Sequence, residues 1–510
     1  MRLVLAFVVL ALTGTLAGTV AASTVLDYDA ARHLLSRTGF GPTDREIQRL
    51  IGLSREQAVA LILDQDGRVA TTPAPQWVAE NAPLRYPPRI DLASDDERKL
   101  FRQQQVQETM QLRAWWISEM LATPAPLAER MTLFWHNHFV SGEQKVRFAR
   151  LMYRQNVSLR RNALGNFGDL LHAMARDPAM LIYLDSVQNR KGTPNENFAR
   201  EAMELFTLGE GHYSERDVKE AARAFTGWSL DRDSGEFVFR RGIHDFDAKT
   251  VLGYTGRFDG DAVLDILLAQ PATAEFIVGK LWREFVSPDP DADEVSRIAR
   301  RFRESRYDIK TALRALLTSD AFFASENRGV LIKSPTELVV GTLRQLDIQP
   351  ADSLIFARAS ASMGQNLFAP PNVKGWPGQD TWINASSLLA RKQFLDRLLR
   401  TDDNLATMRT LATNPDALVV VTPLATAAAA SVTAASGDMQ ASSSAATPPV
   451  RRVRFDSSRW FAQFGGDDNE RRSRAMRLLL PIAPQVEPPA TDAPVSVLRS
   501  VMLDAAYQLK

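Results

Sequence analysis

The sequence lacks cysteine and lacks an excess of charge of either sign. No cysteine occurs among its 510 residues, which excludes disulfide bridges, thiolate metal sites, a cysteine nucleophile and a lipoprotein anchor. The absence is compatible with an oxidising compartment, where free thiols are a hazard. Lysine and arginine together number 61, against 60 aspartates and glutamates. This balance, without a long basic block, argues against a nucleic-acid-binding protein.

Familiar catalytic and cofactor-binding motifs are also missing. The sequence contains no GxSxG nucleophile elbow, HExxH zinc motif, Walker loop or Rossmann fingerprint. The glycine-rich stretch at residues 209–211 lacks a third glycine and a preceding strand pattern. We therefore expect no nucleotide cofactor, and the cofactor is otherwise undetermined, with a divalent metal as one possibility.

Only the N-terminus carries a long apolar run. Arg2 precedes a continuous apolar stretch at residues 3–12, and small residues follow up to Ala22. This order is typical of a secretory signal peptide, whereas the run is too short and too diluted by glycine and threonine to span a bilayer comfortably. We predict a signal peptide at residues 1–22 and an exported protein, periplasmic or extracellular, with no membrane span after signal removal.

The rest of the chain reads as mostly α-helical. Ser/Thr-x-x-Glu/Gln capping signals begin at Thr43, Ser54 and Ser334, each before helical apolar spacing. One alternating stretch, at residues 237–252, predicts a short two-stranded β ribbon. The expected fold class is therefore mostly α: a large multi-helix globular domain with one short β ribbon.

Composition divides the chain after the signal peptide. Residues 23–413 are expected to form the helical domain, since 45% of the sequence is hydrophobic and can bury a large core. Alanine, serine and threonine dominate residues 414–450, which predicts a disordered insertion. Residues 451–510 end in an amphipathic pattern and are predicted to be a helical segment that docks on the main domain.

The main candidate site residues lie in residues 193–228, TPNENFAREAMELFTLGEGHYSERDVKEAARAFTGW. This stretch predicts two helices joined by a glycine-rich turn. Thr193 and Glu196 are spaced as a capping box for the first helix, and Gly209 suits its C-terminal end. Ser214 and Asp217 repeat the start signal for the second helix.

Glu201 projects into the apolar arc of the first predicted helix. Glu204 and Asn197 lie just outside that arc on the same flank. A buried carboxylate requires a partner, so we expect Glu201 to be buried and paired, for example with Arg223. The alternative is a functional carboxylate pair of Glu201 and Glu204, with Asn197 as a candidate binding residue.

His136 and His138 are candidate metal ligands. Residues two apart on a continuous helix point to nearly opposite sides, so the pair can chelate together only if the helix ends there. The alternative has one histidine packed against Trp135 and Phe139 and hydrogen-bonded to a carbonyl, with the other facing solvent. That alternative is favoured, because a catalytic zinc site usually takes three protein ligands and no motif supplies the third.

Two predicted loops add further candidates. His244 precedes Asp245 in a connection and is a possible base or ligand, although a turn with Asx hydrogen bonds explains the pattern equally well. Trp376 and Trp382 belong to a stiff loop containing GWPG, where an exposed tryptophan can stack on a sugar ring or a peptide. Such loops more often close over their own core.

Six stretches in order resemble one family. They are RHLLSRTGFGP, ERMTLFWHNHF, NENFAREAMELFTLG, DVKEAARAFTGW, HDFDAKTVLG and GQNLFAPPNVKGWPG. Together they are similar to the bacterial domain of unknown function 1800 family, from about Arg32 to the C-terminus. The resemblance implies an exported, mostly helical protein, often encoded beside another exported protein, and it assigns no catalytic residue. Ala202 stands where family members usually have leucine.

Two function classes follow from these residues. The first is a binding or assembly protein of the cell envelope, whose partner is another exported protein encoded nearby or an envelope polymer. The second is a secreted hydrolase that gathers Glu201, Glu204 and one or more of His136, His138 and His244 in a cleft, with or without a metal. We favour the binding protein, because nothing in the sequence requires chemistry.

Overall fold

A computed structural model describes residues 25–79, 94–400, 455–489 and 494–510. These residues form 22 α-helices and two small antiparallel sheets, so the predicted mostly helical class is confirmed. The predicted signal peptide (1–22) and the predicted disordered insertion (414–450) lie outside the described residues.

Eleven of the described helices precede the strands in the chain. They are α1 (Tyr28–Thr38), α2 (Asp44–Gln48), α3 (Arg55–Leu63), α4 (Asp95–Ala122), α5 (Pro126–His138), α6 (Glu143–Val146), α7 (Ala149–Asn162), α8 (Phe167–Ala175), α9 (Pro178–Tyr183), α10 (Asn197–Glu204) and α11 (Glu215–Ala224). After the strands come α12 (Gly260–Ala269), α13 (Pro271–Phe285), α14 (Ala292–Glu304), α15 (Ile309–Leu317), α16 (Asp320–Phe323), α17 (Pro335–Gln345), α18 (Leu354–Ser362), α19 (Ala385–Leu399), α20 (Ser457–Ala462), α21 (Asp468–Leu479) and α22 (Pro494–Leu503).

Most predicted helix starts are confirmed by their caps. Thr43, Ser54, Ser214 and Ser334 each accept the N–H three residues on, and the side chain at that position returns a bond to the cap N–H.

The predicted capping box at Thr193 is wrong. Helix α10 begins only at Asn197, and the Thr193 hydroxyl instead lies 3.3 Å from Arg190 Nε, within a bridged turn. The Asn195 side chain accepts the N–H of Asn197 at 2.9 Å, which satisfies one of the free donors at the helix start. A local Asx turn therefore outcompetes an earlier helical turn.

The single ribbon predicted at residues 237–252 is also wrong, because each strand pairs with a nearer neighbour. Strand β2 (Phe237–Phe239) pairs with β1 (Trp228–Leu230), and β3 (Lys249–Val251) pairs with β4 (Tyr254–Gly256). Leu252 and Gly253 both have positive φ, 49° and 84°. Two such residues form the tight hairpin turn that matches strand twist, so β3 closes on β4.

The helices share one continuous apolar core, and the C-terminal elements pack on it. Trp460 of α20 donates its indole N–H to the Gln345 carbonyl at 2.8 Å, and Arg499 of α22 pairs with Asp396 at 2.6 Å. No single described helix is both long and apolar enough to cross a membrane; α12 and α13 meet the length and composition requirement only together, across a bend of 75°.

Candidate functional site

The end of α5 and the loop at residues 372–378 are joined by one side chain. The Asn137 side-chain oxygen accepts the Trp376 N–H at 2.7 Å, and its amide nitrogen donates to the Trp376 carbonyl at 3.1 Å. Gly375 has φ +81°, and a Cβ there would lie 2.3 Å from Asn137 Oδ1. Only glycine permits this approach, so the loop is fixed against α5 at this point.

The same loop carries Lys374 across to the end of α10. The Lys374 Nζ lies 3.8 Å from Glu204 Oε1 and 3.3 Å from Glu210 Oε1. On the other side, the Tyr213 hydroxyl donates to Glu204 Oε2 at 2.6 Å. The Glu204 carboxylate is thus positioned by a phenol and lies near an ammonium group.

Glu201 lies one helical turn before Glu204 and is only half-buried. Within the described part of the chain, its carboxylate has no hydrogen-bond donor and no ion-pair partner. Burial raises its pKa above the usual value, and the nearby Glu204 charge raises it further. Burial raises the pKa of Tyr183, and the negative charge of Glu201 raises it further.

The predicted pairing of Glu201 with Arg223 is wrong. Arg223 donates instead to Asp245, with Nε to Oδ2 at 2.8 Å, and to Glu220, with Nη1 to Oε2 at 2.9 Å. Glu201 is also expected to be buried, whereas the structure leaves it half-buried.

Asn197 continues the polar face of α10 towards Asp185. Its side-chain amide donates to Asp185 Oδ2 at 3.3 Å, and Lys145 Nζ lies 2.7 Å from the same oxygen. Asn197, Glu201 and Glu204 are spaced to share one side of the helix. We call the carboxylates Asp185, Glu201, Glu204 and Glu210 the acidic face; Lys145 and Lys374 pair with its two ends.

His138 supports α10 from its buried side. Lys280 Nζ lies 3.0 Å from His138 Nδ1 and donates to the Leu205 carbonyl at 3.2 Å, while His138 Nε2 lies 3.2 Å from the Phe206 carbonyl. Because an ammonium only donates, Nδ1 is the acceptor and Nε2 carries the proton. Burial, with the Lys280 charge, holds the pKa of His138 well below its usual value, so the ring is neutral.

His136 is enclosed by aromatic rings. It is 1% exposed and packs against Trp116, Phe368 and Trp376, with ring centroids 5.3, 5.3 and 5.8 Å away. Among the described residues neither ring nitrogen has a hydrogen-bond partner, and burial lowers the pKa of His136 to about 4. The expectation that one histidine of the pair faces solvent is wrong. The expectation that the other packs against Trp135 and Phe139 and bonds to a carbonyl is confirmed by His138.

The two histidines do not meet at a common ligand position. Helix α5 is continuous through His138, which removes the condition under which His136 and His138 could chelate together. Among the residues that the structure describes, no group of three or more His, Asp or Glu side chains is arranged to hold a metal ion.

His244 holds a turn rather than joining the acidic face. It is buried, and its Nδ1 lies 2.7 Å from the Thr226 carbonyl. The neighbouring Asp245 accepts the Asp247 N–H at 3.0 Å, an Asx bond of the kind expected for a turn. Burial would raise the pKa of Asp245, but hydrogen bonds from Arg223 and the Asp247 N–H lower it to about 2.

Trp376 and Trp382 close over the core of the protein itself. They are 4% and 7% exposed. The binding role in which they offer ring faces to a sugar or peptide is therefore wrong, and the alternative, in which the loop closes over its own core, is confirmed. The exposed residue that the loop contributes to the site is Lys374. Neither Lys374 nor Tyr213 was a sequence candidate, although Lys374 lies inside the GQNLFAPPNVKGWPG motif.

Comparison with known protein families gives a match over most of the chain. The profile of the family described as "Protein of unknown function (DUF1800)" matches residues 33–480. No curated protein and no solved structure matches the chain. The matched range contains α5, α10 and the loop at residues 372–378, and covers most of the chain. The protein therefore belongs to the DUF1800 family.

Proposed function

We propose that this protein is a binding protein of the cell envelope, and that the acidic face receives a cationic group of its partner. The observation that carries the proposal is Glu201: a half-buried carboxylate without a donor or counter-ion among the described residues. A carboxylate in that position is stabilised when a positive group approaches it, because pairing offsets the loss of hydration.

The local charges favour the same ligand. The acidic face has four carboxylates, and two lysines lie at its ends, which leaves a formal charge of two negative units. Lys374 is an exposed side chain and reaches Glu204 only at 3.8 Å. An incoming ammonium or guanidinium can therefore bind next to Glu201 without displacing a buried ion pair.

The compartment and partner belong to the proposal as well. A signal peptide at residues 1–22 would place the protein in the periplasm or outside the cell. The partner would then be a second exported protein, encoded nearby, that presents a lysine or arginine, or an envelope polymer that carries amino groups.

A secreted hydrolase is the second candidate, and the raised pKa of Glu201 favours it. A raised pKa favours the protonated form that a general acid needs, and Glu204, positioned by Tyr213, would be its partner. None of the three candidate histidines, His136, His138 and His244, joins the two glutamates as a third catalytic group, because each ring is buried in other contacts. This makes binding the better-supported function.

Titration calorimetry with a hexalysine peptide tests the binding function. We expect wild-type protein to bind it, and Glu201→Gln to bind it about tenfold more weakly, since an ionic hydrogen bond contributes about 1.5–3 kcal/mol. Glu487→Gln, at an exposed carboxylate in another segment, is the matched control and should bind like wild type. Equal affinity in all three proteins would contradict the proposal.

The hydrolase is tested with the same variants. Wild-type protein and Glu201→Gln are assayed on chromogenic glycosides and esters across the pH range. Turnover by the wild type that disappears in Glu201→Gln, with no hexalysine binding, would replace the binding function with the enzymatic one.

A further inference from the structure

A groove lies between the ends of α12 and α14, on elements that do not contribute to the acidic face. Its volume is about 550 Å³, and Leu268, Ala269 and the largely buried Tyr307 form its floor. Arg300, Arg303 and Arg306 line it as well. Five of the eight lining residues are charged, so the groove favours a polar or charged ligand.

Two of the arginines have no counter-ion in the part of the chain that the structure describes. Arg300 and Arg306 are exposed, and in the described ranges neither guanidinium has an ion-pair or hydrogen-bond partner. Arg303 Nη2 lies 3.4 Å from the Ala269 carbonyl, and the Arg303 charge also acts on the Tyr307 hydroxyl. Basic side chains near the C-terminal end of a helix are favourable in themselves, which accounts for the charge of all three arginines but not for the backbone conformation of Arg306.

Arg306 occupies a position that normally belongs to glycine. The Tyr307 N–H donates to the Phe302 carbonyl and the Arg306 N–H to the Arg303 carbonyl, both at 2.8 Å. The rings of Phe302 and Tyr307 pack with centroids 4.9 Å apart. These are the bonds and the apolar contact of a Schellman motif, in which the residue at C′ is left-handed.

Arg306 is that residue, with φ +57°, and the following residue, Tyr307, is also left-handed, with φ +66°. A side chain in this conformation is strained relative to glycine. The sequence therefore places an arginine, at a cost in stability, where its guanidinium lines the groove.

We propose that the groove binds a phosphate group carried on a sugar, with Arg300 and Arg306 as the phosphate ligands. Guanidinium forks match phosphate oxygens, and two forks offer more donors than one carboxylate accepts. The groove is larger than a phosphate alone, so its floor is available to the rest of the ligand. The exposed Glu304 also lines it and can accept hydroxyl groups.

One further acid in the groove is already engaged. Asp265 Oδ1 lies 3.0 Å from His172 Nε2. Glu304 therefore remains as the one opposing charge without a partner among the groove residues that the structure describes. The groove as a whole carries three guanidinium charges against two carboxylates, so a net positive charge faces the ligand.

The test measures binding of glucose 6-phosphate, inorganic phosphate and glucose by titration calorimetry. We expect the sugar phosphate to bind more tightly than inorganic phosphate, and glucose not to bind. Arg300→Ala should weaken binding by about tenfold, as expected when one charged hydrogen-bonding group is removed.

Arg306→Gly separates function from folding. Glycine relieves the left-handed strain, so its melting temperature should equal or exceed that of the wild type while the affinity for glucose 6-phosphate falls by about tenfold or more. Arg301→Ala removes an exposed arginine of α14 that does not line the groove and should bind normally.

Three results would overturn the assignment. They are no binding of either phosphate compound at millimolar concentration, unchanged affinity in Arg306→Gly, and binding of hexaglutamate in place of the phosphates, which would indicate an acidic protein segment instead. Equal affinity for inorganic phosphate and the sugar phosphate would remove the sugar from the proposal.

Discussion

The ion pair between Glu129 and Arg160 is enclosed in the core, and its removal should be among the most damaging single changes. Both side chains are 1% exposed. The Glu129 carboxylate accepts from Arg160 Nε, from Arg160 Nη2 at 3.1 Å and from the Trp116 indole at 2.9 Å. Arg160 also lies over Trp115, 5.2 Å from the ring centroid. Every one of these groups depends on the same carboxylate.

The expected cost of Glu129→Ala follows from what would be left behind. Removing one partner of a buried pair costs about 3–5 kcal/mol, because the remaining charge stays buried. The Trp116 N–H would lose its acceptor as well, at about 1–3 kcal/mol. Since the two losses overlap through the same cavity, we expect a fall of about 5 kcal/mol in the free energy of unfolding.

A double variant isolates the charge. Glu129→Met with Arg160→Met removes both ions together, so it should cost several kcal/mol less than the sum of the single changes. Glu236→Ala, which breaks an exposed pair with Arg154, is the matched control and should cost about 1 kcal/mol or less.

Guanidinium unfolding followed by tryptophan fluorescence and circular dichroism gives these free energies, provided that the slope m is unchanged. The reasoning fails if Glu129→Ala costs less than about 1.5 kcal/mol, which is close to the value of a neutral hydrogen bond. It also fails if the two single methionine changes are additive, because a coupled buried pair cannot be.

The remaining predictions concern titration and strain at other carboxylates. Burial raises the pKa of Asp177 from 3.8 to about 7. The folded state therefore binds this proton more tightly than the unfolded state does, and stability falls as the pH rises through that window. Asp177→Asn should flatten this dependence in thermal melts from about pH 4 to pH 8, and an unchanged profile would contradict the assignment. Glu201 also has a raised pKa, so Glu201→Gln should melt at or above the wild-type temperature near neutral pH, whereas a clear loss would indicate a structural pair. Asp245 has a lowered pKa of about 2, so the stability that it contributes is present above its ordinary value and lost as pH falls towards 2; Asp245→Asn should remove that acid-sensitive contribution, measured as a smaller fall in melting temperature from about pH 5 to pH 3.

Sequence patterns predicted the structure correctly where it depends on a contact between residues that are close in the chain. The capping boxes at Thr43 and Ser54 each depend on a residue three positions away, and both formed as the spacing indicates. Thr193 had the same spacing and failed, because the Asn195 side chain offered the backbone a competing turn. The strand at residues 237–239 similarly pairs with residues 228–230, which are nearer in the chain than the partner at residues 249–251 that the alternating pattern indicated.

The candidate site could be predicted only in part, since its contacts are distant in the chain. Helical periodicity correctly put Glu201 and Glu204 on one flank. It could not reveal that Arg223 is taken by Asp245 through a loop, or that Lys374, 164 positions after Glu210, reaches that residue. Periodicity also says nothing about burial of Trp376, which depends on how the loop at residues 372–378 meets α5.

The contact between Asn137 and Trp376 has a consequence for motion. One amide side chain satisfies both the N–H and the carbonyl of a loop residue, as a neighbouring β-strand would. A loop amide normally exchanges its hydrogen quickly with solvent, whereas this one is held at 2.7 Å beneath a buried indole. The Trp376 amide should therefore exchange on the timescale of α5 opening, which makes the loop part of the same cooperative folding unit as that helix. Lys374 is consequently attached to a rigid base, with freedom confined to its own side chain.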